Sequence, residues 1–310
     1  MFDPVSPQAS AISDLFILVL WICAAILVVV VSIIAYAIIR AIRERRRGQE
    51  APDAVENDHA WLEAIWTAIP LAIVAAIFVL SVGAARDSDP VPEGPPDVVV
   101  RGHQWWWEVE YPGSGVVSAN EVHVPVGTKV HLQLESGDVI HDFWVPALSR
   151  KIDVVPGRVH HLVFTPEEPG LYEGVCAEFC GVQHAWMRFD VVVHPVEEFE
   201  AWLEAQSKPA EPPSTAQARA GLAVYTGETC NACHALSGLP DKSRPMQVGP
   251  DLTHLASRRL IGSGVLPNSE ANLAKWMKNP QAIKEGCHMP NFQFSTEDTA
   301  ALAAFLHGLK

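Results

Sequence analysis

The chain has 310 residues, 49% of them hydrophobic, and a mean hydropathy of +0.13, which is apolar for a protein that lives wholly in water. Its net charge of −14 argues against nucleic acid and for a cationic partner. The length has room for two or three units.

Leu15 to Ile39 and Ala64 to Ala85 carry no charged residue, and each is long enough to cross a hydrocarbon core of about 30 Å as a helix. A transmembrane hairpin over residues 1–86 is expected, with helices at about 15–39 and 64–85. A cleaved signal peptide, with "AYA" at 35–37, is the competing reading of the first span. Asp3 and Asp14 precede that span without a basic residue, and the apolar run exceeds the usual signal core. The connecting loop opens with Arg40, Arg43, Arg45, Arg46 and Arg47, which by the positive-inside rule holds it in the cytoplasm and puts both termini outside. Neither span contains a histidine, so this chain holds no membrane-buried haem.

The proline-rich "RDSDPVPEGPPD" leads into short alternating runs: "DVVVRG", "WEVEY", "EVHVPVG", "KVHLQLE", "HHLVFTP" and "RFDVVVH". This is all-β patterning, suited to a Greek-key sandwich or barrel over residues 97–204. The stretch "VEEFEAWLEAQ" closes it as a short helix, and residues 205–215 form an extended linker. From residue 216 to 310 the pattern is helical, in "AQARAGLAVYTGE", "SEANLAKWMKNP" and "STEDTAALAAFLHGL", where the Ser295 to Asp298 spacing resembles a capping box.

Cys230, Cys233 and His234 form C-x-x-C-H, the attachment signature of c-type haem, in which two thiols take the vinyl groups and the histidine takes the iron. A redox pair or half a zinc site is the alternative, and no second C-x-x-C exists to complete the latter. Met289 in "CHMPNF" is the candidate sixth ligand, with His288 and Met246 as competitors, and Cys287 reads as a small apolar packer. The second motif, "CAEFCGVQHAWM", supplies Cys176, Cys180, His184 and Met187. Soft thiolate, imidazole and thioether donors select copper over hard cations, and a second thiolate suggests two sulfurs bridging two copper ions. A structural Cys2His2 zinc is the competing reading. His141 in "DVIHDFWVP", ending a strand run, is the candidate distant histidine, while His123, His131, His160, His161 and His194 read as surface or edge residues.

With "EAIWTAIP", "GHQWWWEVEYP", "KIDVVPGR" and "YEGVCAEFCGVQHAWM" added to the C-terminal haem motif, the chain resembles subunit II of a haem-copper cytochrome c oxidase of the caa3 type. In that type a cytochrome c domain is fused at the C-terminus. The resemblance implies a membrane hairpin, a cupredoxin-like domain and an all-α class I cytochrome c domain. It implies a binuclear CuA centre on His141, Cys176, Cys180, His184 and Met187 with the Glu178 carbonyl, and covalent haem c on Cys230, Cys233, His234 and Met289. The Glu178 side chain would reach a magnesium ion shared with subunit I. Trp105 matches the position where electrons come in from the donor, Glu63 matches the family's proton-uptake glutamate, and Trp107 is assigned to packing.

The same resemblance implies a bacterial inner-membrane location, subunits I and III as partners in the lipid bilayer, and cytochrome c or a quinol-cytochrome c reductase as donor. Oxygen reduction and proton pumping would belong to subunit I. The alternatives are a subunit of a CuA-containing nitric oxide reductase and a membrane-anchored copper-delivery module, the latter disfavoured by the haem motif. From Asp97 to Glu204 there are 17 acidic and 6 basic residues, and from Ser214 to Lys310 there are 7 and 9. The haem domain is therefore expected to dock on the acidic copper face near Trp105, Glu110 and Asp138 through salt-sensitive contacts.

Overall fold

The computed structural model describes residues 3–48, 59–227, 230–238 and 248–310. These fall into two compact units, one of Ser10–Ser88 and one of Asp3–Ala9 with Asp89–Lys310. In the first, helices α1 (Pro7–Arg46) and α2 (Ala60–Ser88) are both long and apolar enough to cross a membrane. Side chains such as Leu27, Val28, Trp66 and Phe78 are exposed along them, an arrangement that suits lipid rather than water. Both helices outrun the apolar spans that predict them. An apolar run reports hydrocarbon thickness, whereas helical hydrogen bonding continues through charged residues, so Arg40, Arg43, Arg45 and Arg46 belong to α1 and not to a loop. The Arg40 Nε donates to Glu44 one turn on at 2.7 Å.

The second unit begins with a two-sheet β-sandwich. Its strands are β1 (Val98–His103), β2 (Trp106–Tyr111), β3 (Val116–Ala119), β4 (Glu121–Pro125), β5 (Val130–Ser136), β6 (His141–Trp144), β7 (Ile152–Val154), β8 (His160–Phe164), β9 (Gly170–Cys176) and β10 (Arg188–His194). One sheet runs β3-β2-β1-β5-β8 and the other β4-β10-β9-β6-β7. The alternating residues that predict strands meet between the sheets, where Trp107, Phe143, Phe164, Leu132 and Leu134 are fully buried. Trp107 sits edge-on to Phe143 at 5.6 Å and to Phe189 at 5.4 Å, geometry the aromatic quadrupole favours; its packing role is as expected. Helix α3 (Val196–Gln206) lays Trp202 flat on His123 at 3.9 Å. That explains a correction: His123 lies on the edge strand β4 but is 7% exposed, and His131, on internal β5, is 6% exposed.

The C-terminal domain contributes α4 (Ala216–Gly227), a two-residue hairpin of β11 (Leu260–Ile261) and β12 (Leu266–Pro267), α5 (Glu270–Lys278) and α6 (Thr296–Leu306). Ser295 caps α6: its hydroxyl accepts from the Asp298 amide at 3.0 Å, the N-cap half of the expected box, while the Asp298 carboxylate accepts from that hydroxyl at 2.7 Å rather than from the Ser295 amide. Helices α4 and α6 pack at Gly221, where a Cβ would meet the Ala301 carbonyl oxygen at 2.0 Å and the Phe305 Cβ at 2.7 Å. Backbone cannot swing away as a side-chain tip can. Gly221→Ala is therefore expected to destabilise this domain by at least the ~1–3 kcal/mol typical of overpacking, read as an earlier thermal transition in circular dichroism.

Candidate functional site

The loop between β9 and β10 folds back on β6 to gather sulfur and nitrogen. Cys176 ends β9, and its Sγ lies 3.7 Å from the Cys180 Sγ, 3.9 Å from His141 Nδ1 and 3.3 Å from the Glu178 carbonyl oxygen. On the other flank, the Cys180 Sγ lies 3.7 Å from His184 Nδ1 and 3.8 Å from the Met187 Sδ. Metal–nitrogen and metal–sulfur bonds of about 2.0–2.3 Å limit two donors on one ion to roughly 4.4 Å apart, and every one of these separations meets that limit. Each cysteine has its own histidine. The donor set of thiolate, imidazole and thioether suits a soft metal such as copper.

His141 begins β6 rather than ending a strand run, because β7 pairs with His141 through Phe143 and β9 with Phe143 and Trp144. Its Nε2 is 2.8 Å from Asp138 Oδ1, which leaves Nδ1 turned toward Cys176; an outer carboxylate fixing a ligand's tautomer is a common feature of metal sites. Burial disfavours charge on His141, but Asp138 and Cys176 outweigh it and its pKa is raised. Hydrogen bonding between the two sulfurs, aided by His141 against the cost of burial, draws Cys176 well below the ordinary thiol range, while Cys180 is pushed up because the pair resists a second ionisation. A metal that takes both sulfurs would have to displace the Cys180 proton.

Cys230 and Cys233 are half-buried on either side of a single 3-10 turn that ends before His234. They line a cavity of about 300 Å³ together with His234 and Met289. His234 Nδ1 is 2.8 Å from the Pro250 carbonyl, which can only accept. Nδ1 therefore carries the proton and Nε2 keeps its lone pair, and burial lowers the pKa further toward the neutral ring. A Cβ on Gly249 would come 2.5 Å from the His234 ring, so this position is a cradle for the imidazole. Trp276 donates its indole N–H to the Met289 sulfur at 3.1 Å. Two thiols, a neutral imidazole and a fixed thioether around one apolar cavity fit a c-type haem.

Trp105 joins the two sites. It is 8% exposed, lines the same cavity, and donates its indole N–H to the Cys180 carbonyl at 2.9 Å. Gln104 donates to that carbonyl as well, at 2.8 Å. From the haem side His288 leans on Trp105 with ring centroids 4.9 Å apart.

Residues 1–83 match the family of the cytochrome c oxidase subunit II transmembrane domain, residues 114–196 that of its periplasmic domain, and residues 218–310 the cytochrome c family. Cytochrome c oxidase subunit 2 of Alkalihalophilus pseudofirmus is 37% identical over 315 residues, covering 99% of this chain and 90% of that protein. The chain belongs to the cytochrome c oxidase subunit 2 family. The subunit 2 of Bacillus sp. strain PS3 is 34% identical over 86% of this chain and 79% of its own length. A crystal structure of the periplasmic domain of subunit II of Bradyrhizobium japonicum covers 38% of this chain and 96% of its own at 32% identity and a TM-score of 0.36.

As a cytochrome c oxidase subunit 2 with a fused cytochrome c domain, the chain is a membrane-anchored component of an oxidase complex. It serves electron transfer into a haem-copper oxidase, with haem and copper as its cofactors. The structure brings His141, Cys176, Glu178, Cys180, His184 and Met187 into one nest and Cys230, Cys233, His234 and Met289 around one cavity. Glu63 lies in the other unit, exposed on the first turn of α2. His288, the competitor for the sixth ligand, is exposed, and Cys287 is half-buried with Gln281 donating to its sulfur. Met246 lies outside the described residues.

The docking expectation needs correcting in its partners. Asp138 is turned to His141 and to the Gln104 amide. The acidic partners of the haem domain are Asp190, paired with Arg259 at 2.6 Å, and Glu121, which accepts from the Arg259 amide at 2.6 Å. Sequence reading also passed over Lys284. It is 5% exposed, and burial pulls its ammonium down to about 8. A glycine-proline pair next to a haem motif, as in "VGPDL", was the signal available for the Pro250 carbonyl; nothing local marks Lys284.

Proposed function

We propose that the chain is the subunit through which electrons reach the oxidase, passing from covalent haem c to a binuclear CuA centre and on to subunit I. When bound, the two groups supply one-electron exchange. Cys230 and Cys233 anchor the haem, His234 and Met289 hold its iron, and His141, Cys176, Cys180, His184, Met187 and the Glu178 carbonyl hold the two coppers. Trp105 is the relay between them. One observation carries this reading: the Trp105 indole forms part of the haem cavity wall and donates directly to the carbonyl of Cys180. Because Trp105 is covered, the external donor, a cytochrome c or a quinol-cytochrome c reductase, meets the haem domain and not the tryptophan.

The finer assignments rest on the family pattern. Subunits I and III are the partners, both termini and the metal domains face the periplasm, as the arginines at the end of α1 support, and the Glu178 side chain serves a magnesium site. Glu63 takes up protons for the proton translocation coupled to reduction of oxygen to water. The relatives are named cytochrome c oxidases, which favours oxygen over nitric oxide as the partner's substrate.

The test is an EPR and optical study of the full chain purified with its oxidase partners. The expected result is a copper hyperfine pattern from two equivalent nuclei beside one low-spin c haem, with copper reduced after the haem. Zinc in place of copper, or a single-copper signal, would refute the binuclear centre.

A further inference from the structure

Lys284 is a buried cation whose ammonium bonds to both metal domains. Its ammonium donates to the Trp105 carbonyl at 3.0 Å, the Trp186 carbonyl at 3.2 Å and the Gly262 carbonyl at 3.1 Å. Those three acceptors satisfy its three N–H donors. Two of them belong to the copper domain and flank its site: Trp105 donates to Cys180, and Trp186 precedes Met187. The third belongs to the haem domain, in the turn between β11 and β12. The lysine itself sits in the segment that leads to Met289. There the Gln281 amide donates to the carbonyls of both Cys287 and Met289 at 2.7 and 2.8 Å, so the segment moves as one piece.

We propose that Lys284 is a positioning residue for haem-to-copper electron transfer, fixing the haem domain against Trp105 in a single pose. This inference rests on the proposed electron path. An ammonium taken from water is costly unless every N–H finds a partner, and Lys284 finds all three only when the two domains meet in this register. A shifted arrangement that keeps the lysine covered leaves it with the Gly262 carbonyl of its own domain and without the two from the copper domain, so the residue rejects wrong poses as well as holding the right one. The cross-domain ion pair of Arg259 with Asp190 joins a buried carboxylate to an arginine side chain 47% exposed, so water reaches its cation and salt screens it, unlike the covered ammonium of Lys284. Neutral contacts, such as the Ser263 hydroxyl to the Asn120 side-chain oxygen at 2.9 Å, complete the seam. The salt-sensitive docking that net charge suggests is therefore replaced by a buried, salt-insensitive latch.

The test uses the full chain in its oxidase complex, comparing wild type with Lys284→Met and Arg259→Ala. Hydrogen exchange is followed at residues 184–188 and 260–267, and haem-to-copper transfer is followed across ionic strength. Lys284→Met is expected to raise exchange at both segments roughly ten- to a hundredfold, the equivalent of orphaning buried polar groups, while β5 and α6 stay protected. Transfer slows and becomes salt-dependent. Arg259→Ala, which removes a cation that water already reaches, is expected to change both readouts less than Lys284→Met does. Unchanged exchange and rate in Lys284→Met would overturn the proposal, as would loss of protection spread equally through β5 and α6. Should Lys284→Met not assemble, the wild type decides alone: a transfer rate that falls with added salt refutes a buried latch. A wild type that never reduces copper from haem refutes the electron path, and the exchange comparison then still reports on Lys284.

Discussion

Cys180→Ser yields a chain that keeps its haem but not its paired copper, and the oxidase loses turnover with a cytochrome c donor. Cys180 is the common neighbour of the nest, with the sulfur of Cys176, the imidazole of His184 and the thioether of Met187 all within 3.8 Å of its own sulfur. Serine is nearly the same size, so the 3% exposed site still packs, but a hydroxyl is a hard donor that does not ionise in this range and cannot bridge soft metals. The backbone carbonyl remains, and with it the bonds from Trp105 and Gln104, so the relay keeps its place while its destination is gone. Outer-sphere changes alone cost roughly 10–100-fold in metal affinity, and removal of a bridging ligand should exceed that. Copper per chain by elemental analysis and the EPR pattern check it. Two equivalent coppers retained in the variant would show that Cys180 is not a bridge.

The parts of this site that could be read from sequence are those the chain brings together locally. Cys176, Cys180, His184 and Met187 occupy one loop, and Cys230, Cys233 and His234 one turn, so spacing alone carries the donor chemistry. His141 was reached through its motif. That it begins a strand was hidden, because pairing with β7 and β9 is a non-local choice. Lys284 was hidden for a sharper reason. In "AIKEGC" it looks like any solvated lysine, and its burial is created by Trp105 and Trp186 of a domain far back in the chain. The hairpin of β11 and β12 gives only two residues to each strand, too short for a periodic signal, yet it carries much of the seam. Net charge pointed to an attraction between the domains without revealing that the decisive cation is buried.

Met289→Leu keeps the haem covalently attached and lowers its reduction potential on the order of a few tenths of a volt, within the roughly 0.8 V span that axial ligation sets. The attachment survives because Cys230 and Cys233 are untouched. The potential falls because a thioether favours the reduced iron, and this one is held in place by the Trp276 N–H at 3.1 Å and by the Gln281 amide on its backbone. Leucine fills the space without offering a lone pair. For a one-electron couple each ~59 mV is a factor of ten in the equilibrium, so a shift of that size makes electron acceptance from an external cytochrome c unfavourable by several powers of ten. Copper content is unaffected, since the donors at Cys176 and Cys180 lie in another domain. A potentiometric titration checks the shift. An unchanged potential would transfer the ligand role to a neighbour, His288 being the exposed imidazole beside it, and Met289→Leu combined with His288→Ala would then lose the low-spin signal that Met289→Leu alone retains.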